Sequence, residues 1–170
     1  MDILHTERLL LRRFTPHDAR AYRPLVSDPR VLRHTGEAPI EDVESVRRLL
    51  LERPIRDYAV HGFGRLACIE KDSGHLIGFC GLKRLEDLGE IDIGYRFIPA
   101  CWGKGYATEA ATAVIRQHVD RFGPRRIVAL VDPANAGSVR VLEKLGMAYE
   151  RDVQPADAAA PLALYAGEFG

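Results

Sequence analysis

Hydrophobic and polar positions alternate most regularly near the centre of the chain, in the stretch EIDIGYRFI. One side of this stretch carries the apolar residues Ile91, Ile93, Tyr95 and Phe97, and the other side carries Glu90, Asp92, Gly94 and Arg96. A period of two residues predicts a β-strand. Two more strands are predicted in GRLACIEKDSGHLIGFCGLKRL, joined by a hairpin turn at Asp72-Ser73-Gly74. The continuous apolar run RIVALV predicts a strand that is covered on both faces.

Other segments repeat apolar residues every three or four positions, which predicts helices. The central strand is followed by ATEAATAVIRQHVDRFG, which ends at Gly123-Pro124, and the last helix is NAGSVRVLEKLG, which ends at Gly146. Two helices are predicted earlier, in TPHDARAYRPLVSD, where Thr15 caps the first turn, and in EDVESVRRLLLER. The segment between them, SDPRVLRHTGEAP, is predicted as a turn-rich connection with a short helix.

With a first strand in ERLLLRRFT and two strands after Gly146, the predicted order is β-α-α-β-β-β-α-β-α-β-β. This order contains a strand-helix-strand crossover in its centre. It therefore predicts an α+β fold, a mixed sheet with helices on it and a right-handed crossover. No linker divides the chain, so residues 1–170 are predicted to form a single domain.

Composition excludes several classes of function. Lysine plus arginine and aspartate plus glutamate number 24 each, and this balance argues against a nucleic-acid partner, with Arg125-Arg126 interpreted as a solvated turn. No apolar run is long enough to span a membrane, and the N-terminal MDILHTERLLLRRF lacks the apolar core of a signal peptide. Cys68, Cys80 and Cys101 form no C-x-x-C pair and the six histidines are scattered, so no metal site or disulfide framework is predicted. These features favour the cytoplasm.

A glycine-rich turn, PACWGKGYATEA, connects the central strand to the helix that follows it. The first backbone N–H groups of a helix have no partner within it, and the helix dipole makes this end attractive to anions. Glycine at 103 and 105 removes Cβ atoms that would keep a phosphate from these amides. A plain tight turn that requires positive φ explains the glycines equally well. The turn matches neither the P-loop pattern nor the full dinucleotide fingerprint, because position 108 is threonine.

The same turn resembles the acyl-CoA pyrophosphate loop of the GNAT superfamily of N-acetyltransferases, whose pattern is Q/R-x-x-G-x-G/A. The hexapeptide from Trp102 to Ala107 fits this pattern except for Trp102 at its first position. Five segments, TERLLLRRFTPHDA, SDPRVLRHTG, GFCGL, IDIGYRF and DPANAGSVRVLEKLGM, are similar in order to the bacterial branch that acetylates the N-termini of ribosomal proteins. The resemblance covers residues 6–150 and implies the GNAT fold, a mostly antiparallel sheet splayed at the cofactor site.

The resemblance also implies which residues bind acetyl-CoA. The pyrophosphate would contact the main chain of the loop residues Trp102, Gly103, Lys104, Gly105, Tyr106, Ala107 and Thr108. The pantetheine arm would pair with the main chain near Phe97 and Ile98, and a main-chain N–H near Ile98 would hold the oxyanion. Asn135, and with less support Ser138, would contact the pantetheine region, although both residue types also suit a helix cap.

Acetyl transfer requires that a neutral amine attack a thioester, so a group must accept the amine's proton. Glu90 and Asp92 are the candidates, because strand alternation puts both on one face beside the expected gap; a solvated face explains them equally well. Many relatives carry a tyrosine as the acid seven residues after the asparagine, and this position is Leu142 here. Cys101 lacks a neighbouring histidine in sequence, which argues against an acyl-cysteine. His34 and His61 lie in segments expected on the acceptor side, in surface or packing roles.

These observations predict an N-acetyltransferase that transfers acetyl directly to a primary amine. A protein N-terminus is one acceptor that the resemblance implies; polyamines, antibiotics and amino acids are others. The alternatives are a non-catalytic acyl-CoA-binding regulatory domain and an interaction module without a cofactor. A homodimer is expected from the resemblance alone.

Overall fold

The computed structural model describes residues 3–170, which form one mixed sheet of eight strands with helices on both faces. The strands are β1 (Leu4–His5), β2 (Leu9–Arg13), β3 (Arg65–Glu70), β4 (Leu76–Leu85), β5 (Glu90–Phe97), β6 (Arg125–Val131), β7 (Ala148–Val153) and β8 (Leu162–Phe169). Their spatial order is β1-β2-β3-β4-β5-β6-β8-β7. Every neighbouring pair is antiparallel except β5 and β6, which are parallel.

The helices follow the predicted positions closely. They are α1 (Ala19–Tyr22), α2 (Pro24–Ser27), α3 (Pro29–Leu32), α4 (Val43–Leu50), α5 (Arg56–His61), α6 (Tyr106–Phe122) and α7 (Ala136–Lys144). Short 3₁₀ turns precede α1 and follow β5, at Pro16–Asp18 and Pro99–Cys101. Gly123 and Gly146, both with positive φ, lie just beyond α6 and α7, as predicted.

One strand was missed, and the extent predicted for one helix was wrong. The strand β1 was not expected, since it contains only two residues and no periodicity. The helix predicted in EDVESVRRLLLER continues to His61, because a π-helical segment, Leu51–Ile55, connects α4 to α5. Pro54 lies within this segment. Proline has no N–H to donate and usually ends a helix, and the wider π turn accommodates it here.

The hydrophobic core lies on both faces of the sheet. On one face α6 and α7 pack with Ala111, Val114 and Leu142 against the apolar side of β5, whose predicted orientation is confirmed. On the other face α1, α2 and α4 pack with Tyr22, Leu25, Val46 and Leu50 against Phe79 of β4. β6 is buried on both sides, as its continuous apolar run predicted.

Candidate active site

A gap opens between the two parallel strands at the centre of the sheet. β5 and β6 pair through a single register position, Asp92 opposite Val128. Beyond this point the N–H of Leu130 donates to the Asp92 carboxylate at 3.1 Å. A side chain therefore takes the place of a main-chain acceptor, and the strands part towards their carboxyl ends. The sheet is splayed where the resemblance implies a cofactor.

The main chain of Phe97 faces this gap. The neighbouring Ile98 N–H donates to Ile77 of β4 at 2.9 Å, and successive main-chain groups of a strand point to opposite sides. The Ile98 N–H is thus occupied, and the donor directed towards the gap belongs to Phe97. The Phe97 carbonyl accepts a 2.7 Å hydrogen bond from the indole N–H of Trp102, the protein's single tryptophan, which is half exposed.

The glycine-rich turn leads from the gap to the N-terminus of α6. Gly103 and Gly105 have φ of +72° and +81°, a left-handed conformation that favours glycine. No atom lies within 4 Å of the position that a Cβ on Gly103 would occupy. The turn therefore requires glycine for its own conformation and also leaves open space beside the first amides of α6. The geometry therefore fits both the anion-binding site and the plain tight turn that the sequence suggested.

An arginine from the N-terminal end of β2 holds this turn in place. Arg8 donates from Nε to Glu109 at 2.7 Å and from Nη1 to the Lys104 carbonyl at 2.8 Å, and its guanidinium lies 4.3 Å from the centre of the Tyr106 ring. The Thr6 hydroxyl also donates to Glu109, at 2.6 Å. Burial alone would raise the pKa of Glu109, but the hydrogen bonds from Thr6 and Arg8 lower it below its ordinary value.

The remaining loop residues differ in what they expose. The Tyr106 side chain is buried, stacks on Phe97 and donates its hydroxyl to Glu70, a bond that raises its pKa to about 12. It is therefore a packing residue, and only its main chain faces the loop. Lys104 is exposed, whereas Ala107 and Thr108 are half buried in the first turn of α6.

On the other side of the gap, Asn135 caps α7. Its side-chain oxygen accepts from the Ser138 N–H at 3.1 Å, which confirms the capping interpretation. The Tyr95 hydroxyl lies 3.0 Å from both the carbonyl and the hydroxyl oxygen of Ser138. Tyr95 thus belongs to the apolar face, as predicted, and also connects β5 to α7 across the gap.

Asp92 lies at the apex of the gap and is 5% exposed, so the solvated face offered as an alternative does not describe it. Its carboxylate accepts from Arg65 at 3.1 Å in addition to Leu130. Burial raises the pKa of Asp92, while Arg65 and the Leu130 N–H act in the opposite direction.

Two glycines allow Arg65 to reach Asp92 across three strands. Arg65 of β3 pairs with Gly81 of β4, and Gly81 pairs with Gly94 of β5. A Cβ on Gly94 would lie 2.5 Å from the Arg65 guanidinium. Because neither glycine carries a side chain, the arginine can lie across the strands.

Glu90, on the same face of β5, has a different environment. It accepts from Arg126 at 3.0 Å, and Arg126 also bonds Glu150 of β7 at 2.6 Å. Glu90 precedes the Asp92–Val128 pair, so it lies on the closed side of the splay.

Other candidates are placed away from the reacting position or in structural roles. Leu142 is buried in the core, and burial raises the pKa of the Cys101 thiol, which makes a thiolate less accessible. His61 lies 3.6 Å from Glu86. His34 contacts Asp132, which follows β6, at 2.8 Å through Nδ1.

Sequence reasoning missed Arg8, Arg65 and Glu109. Arg8 and Glu109 each fall in a segment that carried the resemblance. They lie 101 residues apart in the chain, however, and no local pattern predicts their contact. Within residues 3–170 no cluster of three or more potential ligands could hold a metal ion, and no helix there has the length and apolarity to cross a membrane.

Comparisons with known proteins agree with this geometry. A sequence profile described as an acetyltransferase (GNAT) domain matches residues 8–148. The chain is 33% identical over 152 residues to the uncharacterized N-acetyltransferase p20 of Bacillus licheniformis, covering 88% of this chain and 84% of p20.

Solved structures share the fold. An acetyltransferase from Agrobacterium tumefaciens superposes with a TM-score of 0.82 at 27% identity, over 98% of this chain and 94% of that one. The RimL ribosomal L7/L12 α-N-protein acetyltransferase, solved in complex with coenzyme A, gives a TM-score of 0.82 at 17% identity, over 98% and 97% of the two chains. At that identity the RimL likeness concerns the fold alone. Together with the profile match, these findings show that the chain belongs to the GNAT family of N-acetyltransferases, which use acetyl-CoA as the acetyl donor.

Proposed function

We propose that this N-acetyltransferase binds acetyl-CoA in the gap between β5 and β6 and transfers the acetyl group directly to a primary amine. The single pairing of β5 with β6, at Asp92 and Val128, is the observation that carries the proposal. Acetyl-CoA supplies a thioester, from which the acetyl group passes to the amine without an acyl-enzyme. The acceptor is a protein N-terminus or a small-molecule amine. A domain that binds acyl-CoA without turnover is the alternative.

The cofactor-binding residues in this proposal are Phe97, Ile98, Trp102, Gly103, Lys104, Gly105, Tyr106, Ala107, Thr108, Asn135 and Ser138. Phe97 offers a main-chain N–H on the gap side, and the loop offers the unpaired amides that begin α6. Ile98 is included because it adjoins Phe97 at the edge of the gap. Its own N–H is not available to the ligand, since it donates to Ile77. The Trp102 indole bonds the Phe97 carbonyl at the position where the ligand would pair, so its fluorescence is expected to report on binding.

Asp92 is the group we propose to accept the amine's proton, directly or through water, with Glu90 as the alternative. Its position at the apex of the gap supports this role, and its raised pKa makes it a stronger base than an ordinary aspartate. The free Cys68, Cys80 and Cys101 are consistent with a cytoplasmic location. A homodimer, which the resemblance alone suggests, is testable by sedimentation.

Titration with acetyl-CoA tests the cofactor site, using calorimetry and the fluorescence of Trp102. We expect a micromolar dissociation constant and a change in tryptophan emission for the wild type. Gly105→Val is expected to abolish both, because valine resists φ of +81° and its side chain would occupy the space near Arg8. Gly74→Val, in the remote β3–β4 turn with φ of +72°, carries a comparable backbone cost and is the matched control. Absence of binding by the wild type would contradict the proposal, and binding without turnover of any amine would favour the alternative.

A further inference from the structure

A second, basic recess adjoins the gap on the face covered by α1 and α4. We call it the basic cleft and define it by Tyr22, Arg53, Asp57, Arg65, Lys83 and Arg96, with Phe79 at its floor. The lining also includes Glu37, so four of its side chains are cationic and two are anionic, although the protein as a whole has no net charge. The cleft therefore concentrates positive charge in one place.

Some of this charge is compensated within the protein. Arg96 pairs with Glu37, which also lines the cleft, at 3.1 Å, and Arg65 pairs with the buried Asp92 at 3.1 Å. Both guanidinium groups lie against the Phe79 ring, 5.1 Å and 5.4 Å from its centre. These contacts fix the two arginines in place.

Other donors in the cleft have no acceptor. The Nε atom of Arg65 is buried without a hydrogen-bond partner in the described chain. Arg53 and Lys83 are exposed at the rim of the cleft, where neither lies within salt-bridge distance of an acidic residue among residues 3–170. Of the cleft's donors only the Arg65 Nε is buried without a partner, and such a donor costs free energy comparable to a lost hydrogen bond. An anion bound in the cleft would pair with the two exposed cations and lie next to the Arg65 guanidinium.

The cleft also lies where an acceptor has to approach. Arg65 joins it to the apex of the gap, because the same guanidinium contacts Asp92. The segment 34–37 reaches both strands that border the gap, through His34 to Asp132 after β6 and through Glu37 to Arg96 of β5. A molecule in the cleft is thus next to the gap on the face away from α6.

We infer that the basic cleft binds an anionic group of the acceptor, so that the substrate is an amine that also carries a carboxylate or phosphate. Arg53 and Lys83 hold the anion, with Arg65 and Tyr22 beside it, and the amine extends towards Asp92. Arginine suits this task because its fixed planar donors match the oxygens of a carboxylate or phosphate. The inference rests on the proposed function, since it names the acceptor class of the same reaction.

Paired acceptors with and without an anionic group test the inference. The probes are L-alanine against L-alaninamide, O-phosphoethanolamine against ethanolamine, and spermidine as a polycation, each assayed by release of coenzyme A. We expect kcat/KM for at least one anionic probe to exceed that of its neutral partner about tenfold or more, and the better of the two identifies carboxylate or phosphate. Equal or higher kcat/KM for both neutral partners, or for spermidine, would overturn the inference and leave the acetyltransferase proposal intact.

Variants connect that preference to the cleft. The double variant Arg53→Gln/Lys83→Gln is expected to raise KM for the anionic probe about tenfold, while KM for the neutral amine changes less than about twofold. Arg116→Gln, an exposed arginine of α6 on the opposite face, is the control and should change neither. An equal effect on both probes would contradict a role in anion recognition.

Calorimetry with the probes alone keeps the inference testable if no amine is acetylated. Binding of L-alanine or O-phosphoethanolamine to the wild type, lost in the double variant, would support the cleft even though the acetyltransferase proposal had failed. Absence of binding by both anionic probes, together with absence of turnover, would overturn the inference.

Discussion

Two carboxylates, Glu90 and Asp92, lie on the same face of β5 near the apex of the gap, and Asp92 is the more deeply buried of the two. Alternation along EIDIGYRFI correctly assigned Glu90 and Asp92 to the same face of β5. It could not distinguish them, because their environments depend on Arg126 and Arg65, which lie 36 and 27 residues away in the chain. The role of the glycines that let Arg65 cross the sheet could not be predicted either. A glycine in a strand indicates close packing but does not show which residue packs against it.

Asp92→Asn tests whether the buried carboxylate accepts the amine's proton. Asparagine keeps the size of the side chain and can still accept from Leu130, but it cannot take a proton. We therefore expect kcat to fall by about 10²–10³ while the dissociation constant of acetyl-CoA changes less than about twofold. Steady-state kinetics with a saturating amine would measure this.

Glu90→Gln is the matched comparison, because it removes a carboxylate from the same face of the same strand. We expect its kcat to remain within about threefold of the wild type, since Glu90 pairs with Arg126 on the closed side of the splay. A larger loss in Glu90→Gln than in Asp92→Asn would transfer the role to Glu90. If both variants kept full kcat, neither residue would be the base.

At the scale of elements, local signals were accurate and long-range connections were hidden. The helix caps at Thr15 and Asn135, the turn at Asp72-Ser73-Gly74 and the stops at Gly123 and Gly146 depend on near neighbours, so sequence predicts them. The continuation of the helix through Pro54 was not predicted, because the rule that proline ends a helix assumes α geometry. The attachment of β2 to α6 through Arg8 could not be inferred from either element alone.

That attachment leads to a prediction about the cofactor loop. Arg8→Lys retains the positive charge but loses the rigid planar donors with which the guanidinium bonds Glu109 and the Lys104 carbonyl at the same time. The loop should become less ordered before binding, and the dissociation constant of acetyl-CoA should rise about tenfold. Titration of Trp102 fluorescence would measure it. Arg20→Lys, an exposed position in α1, is the control, and an unchanged constant in Arg8→Lys would mean that the loop is ordered without this contact.

At the scale of the whole molecule, the order of elements was sufficient to predict a mixed sheet with a central crossover. The splay itself could not be read from periodicity, because β5 and RIVALV are both good strands and nothing local prevents them from pairing along their full length. Their separation results from the Asp92 side chain bonding the Leu130 N–H and from Tyr95 bonding Ser138, contacts that only the assembled fold brings together.

Acid sensitivity is a further property of the assembled molecule, and His118 of α6 determines part of it. The ring is 5% exposed, packs against Phe63 and Phe122 with centroids 5.0 Å and 4.7 Å away, and its Nε2 has no partner among residues 3–170. Burial, with smaller contributions from Arg125 and Arg121, lowers the pKa of His118 to about 4.

The direction of the effect follows from this lowered pKa. The unfolded chain binds a proton at His118 below its ordinary pKa of about 6.5, whereas the native state stays neutral until about pH 4, so stability is lost as the pH falls through this range. Between pH 7.5 and pH 5 we expect His118 to remove about 2 kcal/mol from the free energy of unfolding.

Urea denaturation at both pH values would measure the loss, and His118→Leu should abolish most of it. Asp92, whose pKa is raised, acts in the opposite direction in both proteins and cancels in the comparison. An equal loss in wild type and His118→Leu would mean that the buried ring is already protonated or solvated in the native state.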